Sequence, residues 1–433
     1  MLKMIKLAIK NLWARRSSNI WLTIELVAVT IIAWMIIDPV VVRVYDATRP
    51  LGYDRDRLVQ LWFSSYDSLS TRYDRSSADS ATCVTHIYEL QKVAGRLPQV
   101  ESVTFTSEYY SPESQSINLN TIYGADTLSA LESYFIPESR FLTTIGAKSV
   151  EGSPTVEELD NMHLGANDCI ITQELAERAF PGENAVGKIV KSVYADPQRV
   201  VGVIGNMRFK GYMNSYLLTL SQPAYIRPEA IYAGGSFSLI VRLRPGESTA
   251  RFIKDKNVRS SLNLGNFYCA DIQSLDNLGK TEENNRGVTG SKIIGIGLLI
   301  FFMGSLTIGV TGIFWLQTRS RSREAGIMKS FGASPGFITG TMLWEGIILV
   351  AVTWLAGCLI YLQWGLANGL ADHNRISVAP NILHIDWLVN FPIHFAVISA
   401  IVLVIMTVVV CAGIYIPAVR ISRVNPVDAL HDE

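Results

Sequence analysis

Residues 293–316 read IIGIGLLIFFMGSLTIGVTGIFWL, with no charge from end to end. A helix rises about 1.5 Å per residue, so about 20 apolar residues cross the hydrocarbon core of a bilayer. This run is long enough, and three others accompany it. Residues 20–37 are broken by Glu25 and end at Asp38-Pro39. Residues 337–366 are interrupted at Glu345, and residues 391–416 are uncharged. Trp21, Trp34, Trp315, Trp364 and Tyr415 stand near run ends, where amphipathic rings favour the interface. The first run is too long for the apolar region of a cleaved leader and has no small-x-small site, so it reads as a retained anchor.

The whole chain fits this picture. Of its 433 residues 49% are hydrophobic and only 18% charged, against about a quarter charged in soluble proteins. Lys+Arg and Asp+Glu are equal at 38 each, so no net field draws a polyanion, and nucleic acid is not an expected partner. Five scattered cysteines (Cys83, Cys169, Cys269, Cys358 and Cys411) are too few for a disulfide scaffold.

The flanks set an orientation. Lys3, Lys6, Lys10, Arg15 and Arg16 precede the first run. Arg319, Arg321, Arg323 and Lys329, against Glu324, separate the second from the third, and Arg420 and Arg423 follow the fourth. The third-to-fourth connection carries Arg375 alone. The positive-inside rule then places both termini and the second-to-third loop in the cytoplasm. The expected fold is an α-helical membrane protein with four transmembrane helices (1+3) and a large extracytoplasmic α+β domain between the first and second. Residues 1–16 form a cytoplasmic interfacial amphipathic helix, since Leu2, Ile5, Ile9, Leu12 and Trp13 recur at helical spacing among lysines. The spanning helices occupy 17–42, 292–317, 337–366 and 391–416. The outer domain is 43–291, the cytoplasmic connection 318–336, the short outer loop 367–390 and the cytoplasmic tail 417–433.

Inside the outer domain, 57–64 and 100–107 alternate as strands around a helical 83–97, and a serine-rich polar loop fills 64–82. A short helix capped by Thr172 runs to Phe180, and strands follow at 189–193, 199–204 and 236–243.

Three patterns tempt an enzymatic reading. Gly182 to Lys188 fits G-x-x-x-x-G-K, but Ile189 replaces the Ser/Thr that holds Mg²⁺, and a strand follows where a helix is needed. A turn is the better expectation. Gly332-Ala333-Ser334-Pro335-Gly336 fits G-x-S-x-G, yet Pro335 has no N–H for an oxyanion hole. Cys83 and His86, with His163 and Cys169, are a loose zinc set that no spacing aligns. The expectation is a chain with no catalytic centre. Glu25 and Glu345 are intramembrane acids. Glu25 is near enough to its run's start to reach the inner interface, whereas Glu345 faces other helices or is protonated. Proton relay is the sharper alternative to packing for both.

At the second-to-third loop the residues form a known pattern. Arg321-Ser-Arg323-Glu324-Ala-Gly326-Ile327-Met-Lys329-Ser-Phe-Gly332-Ala333 resembles the R-x-R-E-x-G-I-x-x-x-x-G-A segment of FtsX-like permeases of the MacB group of ABC transporters. The end, Pro417-Ala418 to Pro426-Val-Asp428-Ala429-Leu430, resembles the group's closing P-A-x-x-A-x-x-x-x-P-x-x-A-L, with Ile421 where the family tends to have Ala. Residues 180–188, 200–204 and 237–246 are similar to the MacB periplasmic core. The family's first spanning helix is usually rich in small residues, whereas 20–37 has no glycine, which puts close packing there in doubt.

The resemblance implies a permease subunit in a bacterial inner membrane that transmits motion from a separate ABC ATP-binding subunit, which holds the ATP and Mg. Its implied coupling residues are Arg321, Arg323, Glu324, Gly326, Ile327, Lys329 and Gly332, with Pro426 and Leu430 as secondary contacts. It further implies a second permease subunit, either identical or paralogous, surrounding membrane lipids, and in some systems a periplasmic adaptor and outer-membrane channel. The cargo would come from the periplasm or outer leaflet. Alternatives are a scaffold regulating a cell-wall hydrolase, a lipoprotein-releasing permease, and a sensor without transport.

Overall fold

A computed structural model of the chain describes residues 2–14, 20–106, 112–113, 118–123, 127–136, 139–192, 196–208, 210–211, 217–221, 236–316, 318–370, 387 and 390–423. The chain forms two compact units.

The first unit is helical. It holds α1 (Leu2–Ala14), most of α2 (Ile20–Thr48), and, from the carboxyl-terminal half, Val288–Leu316, Thr318–Ser330, Pro335–Asn368 and Phe391–Ser422. Four of these helices are long and apolar enough to cross a membrane. The first runs on through Asp38 and Pro39 instead of ending there. Asp38 lies buried, 2.7 Å from His394 Nε2, so the acid that punctuates the sequence is paired inside the bundle. Trp34 also departs from expectation. It is fully buried, stacked between Tyr361 (4.6 Å) and Phe395 (4.9 Å), so its ring serves the core and not an interface.

The glycines absent from α2 stand on its neighbours. A Cβ on Gly357 would come 2.8 Å from Thr30 Cβ, one on Gly309 2.8 Å from Glu25 Oε1, and one on Gly295 3.4 Å from Val40. Close helix approach needs small residues on one side of a contact only, and here that side is the partner helix.

Among the described residues the second unit carries two β-structures. In chain order its strands are β1 (Leu58–Ser65), β2 (Val100–Thr106), β3 (Asn118–Tyr123), β4 (Thr127–Tyr134), β5 (Asp168–Thr172), β6 (Ile189–Ser192), β7 (Gln198–Ile204), β8 (Leu218–Ser221), β9 (Ser236–Leu243), β10 (Asn263–Leu264) and β11 (Phe267–Ser274). Its helices are α3 (Ser80–Gly95), α4 (Phe141–Ile145), α5 (Val156–Asn161), α6 (Gln173–Ala179), α7 (Thr249–Lys254), α8 (Lys256–Ser261) and α9 (Leu275–Asn285). The remaining helices of the first unit are α10 (Val288–Leu316), α11 (Thr318–Ser330), α12 (Pro335–Asn368) and α13 (Phe391–Ser422).

One sheet has the order β10-β11-β1-β9-β2 and is antiparallel throughout. β1 and β2, joined by α3, are separated by β9, which arrives from much later in the chain: a split βαβ unit. Alternation explains the core. Val59, Leu61 and Phe63 of β1 and Phe237, Leu239, Val241 and Leu243 of β9 share one face, against Cys83, Ile87, Leu90 and Ala94 of α3. The Phe63 and Phe237 rings stack across the ladder at 4.5 Å.

Between β2 and β9 the chain builds a closed barrel, β3-β4-β8-β5-β7-β6, filled by Ile122, Ala130, Cys169, Ile171, Val190 and Val200. Thr172 does precede α6, but its hydroxyl accepts from Leu218 N across the barrel (3.2 Å) instead of capping the helix.

Candidate functional site: the helix between the second and third spans

The segment carrying the charged pattern folds as α11, and its end is built in detail. Gly332 takes φ +86°, Ala333 N donates to Met328 O (2.9 Å) and Gly332 N to Lys329 O (2.8 Å). This is the paired closure in which a glycine in the left-handed region satisfies the last helical carbonyls. Two residues later Ser334 caps α12, its hydroxyl accepting from Phe337 N (3.3 Å), with Pro335 at the first helical position. Ser334 is therefore a helix cap.

One side of α11 faces inward. Ala325 and Gly326 are buried, and Met328 packs on the bundle core. The other side presents Glu324, Ile327 (45% exposed) and Phe331 (88% exposed), three and four residues apart and so on one face. Lys329 is half-buried. Phe331 was not among the residues singled out in the sequence; its place four residues after Ile327 is the signal that puts it on the same face. The backbone of Arg321 and Arg323 lies in α11, while their side chains, and all of Pro426 and Leu430, fall outside the described residues.

The intramembrane acids are both engaged. Glu345, 3% exposed, accepts from Asn11 Nδ2 (2.8 Å), so the amide of α1 meets the acid of α12. Ala8 of α1 is fully buried, while Ile9 and Trp13 are exposed. Glu25 is half-buried with its carboxylate against Gly309 of α10.

The other tempting patterns resolve into structure. Gly182 and Gly187 take positive φ in the turn between α6 and β6. Lys188 pairs with Glu183 and lies 5.2 Å over the Phe180 ring. Cys83 and His86 both belong to α3, with Cys83 in its core and His86 half-buried, whereas Cys169 lies in the barrel wall. All five cysteines are free thiols, and burial pushes Cys169 and Cys269 up to about 12, which leaves them as inert thiols.

Comparison with known proteins gives two matches in succession along the chain. Residues 47–255 match the family model described as MacB-like periplasmic core domain, and residues 296–426 match FtsX-like permease C-terminal. A macrolide export ATP-binding/permease protein MacB of Aggregatibacter actinomycetemcomitans is 24% identical over 57% of this chain and 38% of its own length. The uncharacterized ABC transporter permease YknZ of Bacillus subtilis is 25% identical over 63% of this chain and 64% of its own length. The chain thus spans well under half of the first relative and just under two thirds of the second. Among solved structures, the periplasmic region of MacB from Actinobacillus actinomycetemcomitans aligns with 55% of this chain and 98% of its own, at 17% identity and TM-score 0.29.

Proposed function

Since this chain belongs to the FtsX-like ABC transporter permeases with a MacB-like periplasmic core domain, we propose that it couples ATP hydrolysis in a separate ATP-binding subunit to movement of its extracytoplasmic domain. In this reading the chain has no catalytic site of its own, and ATP and Mg bind in the partner. Both termini and α11 lie in the cytoplasm of a bacterial inner-membrane complex. A second permease subunit completes the assembly, and an adaptor and outer-membrane channel are further partners where the envelope has two membranes. Closing of the ATP-binding subunits pushes on α11, the spanning helices carry the shift, and the outer domain moves cargo taken from the periplasm or outer leaflet.

The observation that carries this reading is the exposed Glu324–Ile327–Phe331 face on a helix whose other side is anchored in the bundle. An aromatic and an aliphatic side chain beside a charge make a small docking surface, and large aromatics are the usual anchors of such contacts. A helix seated this firmly passes on a push instead of absorbing it. Arg321, Arg323, Gly326, Lys329 and Gly332, with Pro426 and Leu430, are assigned to the same coupling role by family pattern.

The test is purification of the chain from native membranes in mild detergent, with mass spectrometry of its partners. A stoichiometric ATP-binding subunit, lost in Glu324→Lys while the chain still inserts, is the expected result. Recovery of the same subunit with unchanged ATP hydrolysis and transport would remove α11 from the coupling role.

A further inference from the structure

The outer domain holds charge in its interior. The Glu113 side chain is fully buried on a residue with φ 61°. Its carboxylate accepts from Tyr53 Oη (2.9 Å), from Arg55 Nη1 (3.2 Å) and from Gly211 N (3.1 and 3.2 Å). The second arm of Arg55 reaches Asp276 at 3.3 Å. Gly279 lies so close that a Cβ there would stand 2.9 Å from Glu113 Cδ. Arg208, 1% exposed, donates to the carbonyl oxygens of Pro50 (3.2 Å), Gly211 (3.2 Å) and Arg49. Arg286 pairs with Glu282 at 2.8 Å, and buried Lys210 lies in the field of Glu282 and Glu113.

The buried acids of the cluster are met from within it. Glu113 takes Arg55 and Glu282 takes Arg286, while Asp276 is held by both Arg55 and the exposed Lys280. Buried charges matched by hydrogen-bonded partners of the same chain make this arrangement a fastening.

Chain position shows what it fastens. Arg49 to Arg55 directly follow α2, and Asp276 to Arg286 lead through Gly287 into α10. The two legs by which the chain enters and leaves the domain therefore meet at Glu113. The backbone reinforces the first leg. Arg208 N donates to Leu51 O (2.8 Å) and Asp54 N to Ile145 O (3.0 Å). Gly52, at φ +82°, passes so near the Asn206 carbonyl that any Cβ would collide with it. On either side of Arg55 the leg grips the sheet, through Asp54 to Arg242 of β9 and Arg57 to Glu101 of β2.

We infer that Glu113 is the pin of a charged bracket that ties the leg leaving the first spanning helix to the leg entering the second, so that both deliver one displacement to the sheet. Its role in transport rests on the proposed motor coupling; its existence as a mechanical joint does not. Glu113, Arg55 and Arg208 act as positioning residues.

Hydrogen exchange of the full chain in lipid nanodiscs, wild type against Glu113→Gln, tests the joint without nucleotide. The expected result is faster exchange in 49–57 and in 275–286 together, by about tenfold or more, the effect of one lost charged hydrogen bond on local opening. The barrel strands 168–172 and 198–204 keep their wild-type rates. Acceleration confined to the residues beside Glu113, or in one leg alone, overturns the bracket. If Glu113→Gln loosens the whole domain, Tyr53→Phe removes one bond at constant volume and is judged by the same paired response. A second comparison, with ATP and vanadate on the complex with its ATP-binding subunit, addresses the motor. Absence of any nucleotide-dependent change in the wild type would sink the coupling reading while the nucleotide-free result still decides the joint.

Discussion

Gly357 and Thr30 touch so closely that a methyl group on the glycine would come 2.8 Å from Thr30 Cβ, with the Val27 carbonyl also in contact. Gly357→Leu should therefore push α2 from α12 and lower the thermal midpoint of the detergent-solubilised chain, an overpacking cost of about 1–3 kcal/mol; an unchanged midpoint would show that the helices can part without loss. Lys210 gives a different residue-scale expectation. Burial lowers its pKa to about 8, partly opposed by Glu282 and Glu113. The unfolded chain keeps this proton up to the ordinary lysine range near 10.5, whereas the folded chain releases it from about 8. Between those values the unfolded state binds more protons, so raising the pH stabilises the fold. Relative to Lys210→Met, wild-type stability should rise across that window by at most about 3 kcal/mol. Parallel denaturation curves from pH 7.5 to 10.5 would contradict the assignment. Neither position was legible beforehand. A glycine's neighbour and a lysine's burial depend on segments far away in the chain, and composition carries no trace of either.

At the scale of elements, α11 was the most legible feature, because a glycine stop, a Ser-Pro cap and a charged run are local signals. The inward and outward sides were not, since they depend on where α13 and the bundle core lie. Ile327→Ser with Phe331→Ser should reduce recovery of the ATP-binding subunit at least about tenfold, as loss of an aromatic anchor does, with membrane insertion unchanged; undiminished recovery would move the docking surface elsewhere. The Asp38–His394 pair is the other element-scale device, joining α2 to α13 across 356 positions of sequence. Leaving one partner of a buried hydrogen bond unsatisfied costs about 1–3 kcal/mol. Asp38→Ala should accordingly be less stable than wild type by about that much, and a double-mutant cycle with His394→Ala should show coupling between them. Additive losses would mean the two act separately.

On the scale of the whole molecule, the prediction concerns sidedness. Cysteines placed at the exposed Ser68 and Ser330 should react differently with a membrane-impermeant maleimide, Ser68→Cys in intact spheroplasts and Ser330→Cys only after permeabilisation. The native thiols of Cys169 and Cys269, buried and held near 12, give little background. Equal labelling of both would reject the proposed orientation. The sequence by itself determined four apolar runs, the α+β character of the domain between the first and second, and the charged helix between the second and third. Each is a local quantity: run length, side-chain period, cap and turn chemistry. It also determined family membership, because short motifs in a fixed order survive where overall identity is low. Only the tertiary structure decided that β9 separates β1 from β2, that β3 to β8 close a barrel, that Trp34 is core, and that Glu345 meets Asn11. It alone brought Glu113 to both legs of the domain. Those facts are pairings between distant segments, and a pairing is set by the free energy of the assembled core, which no single stretch of chain contains.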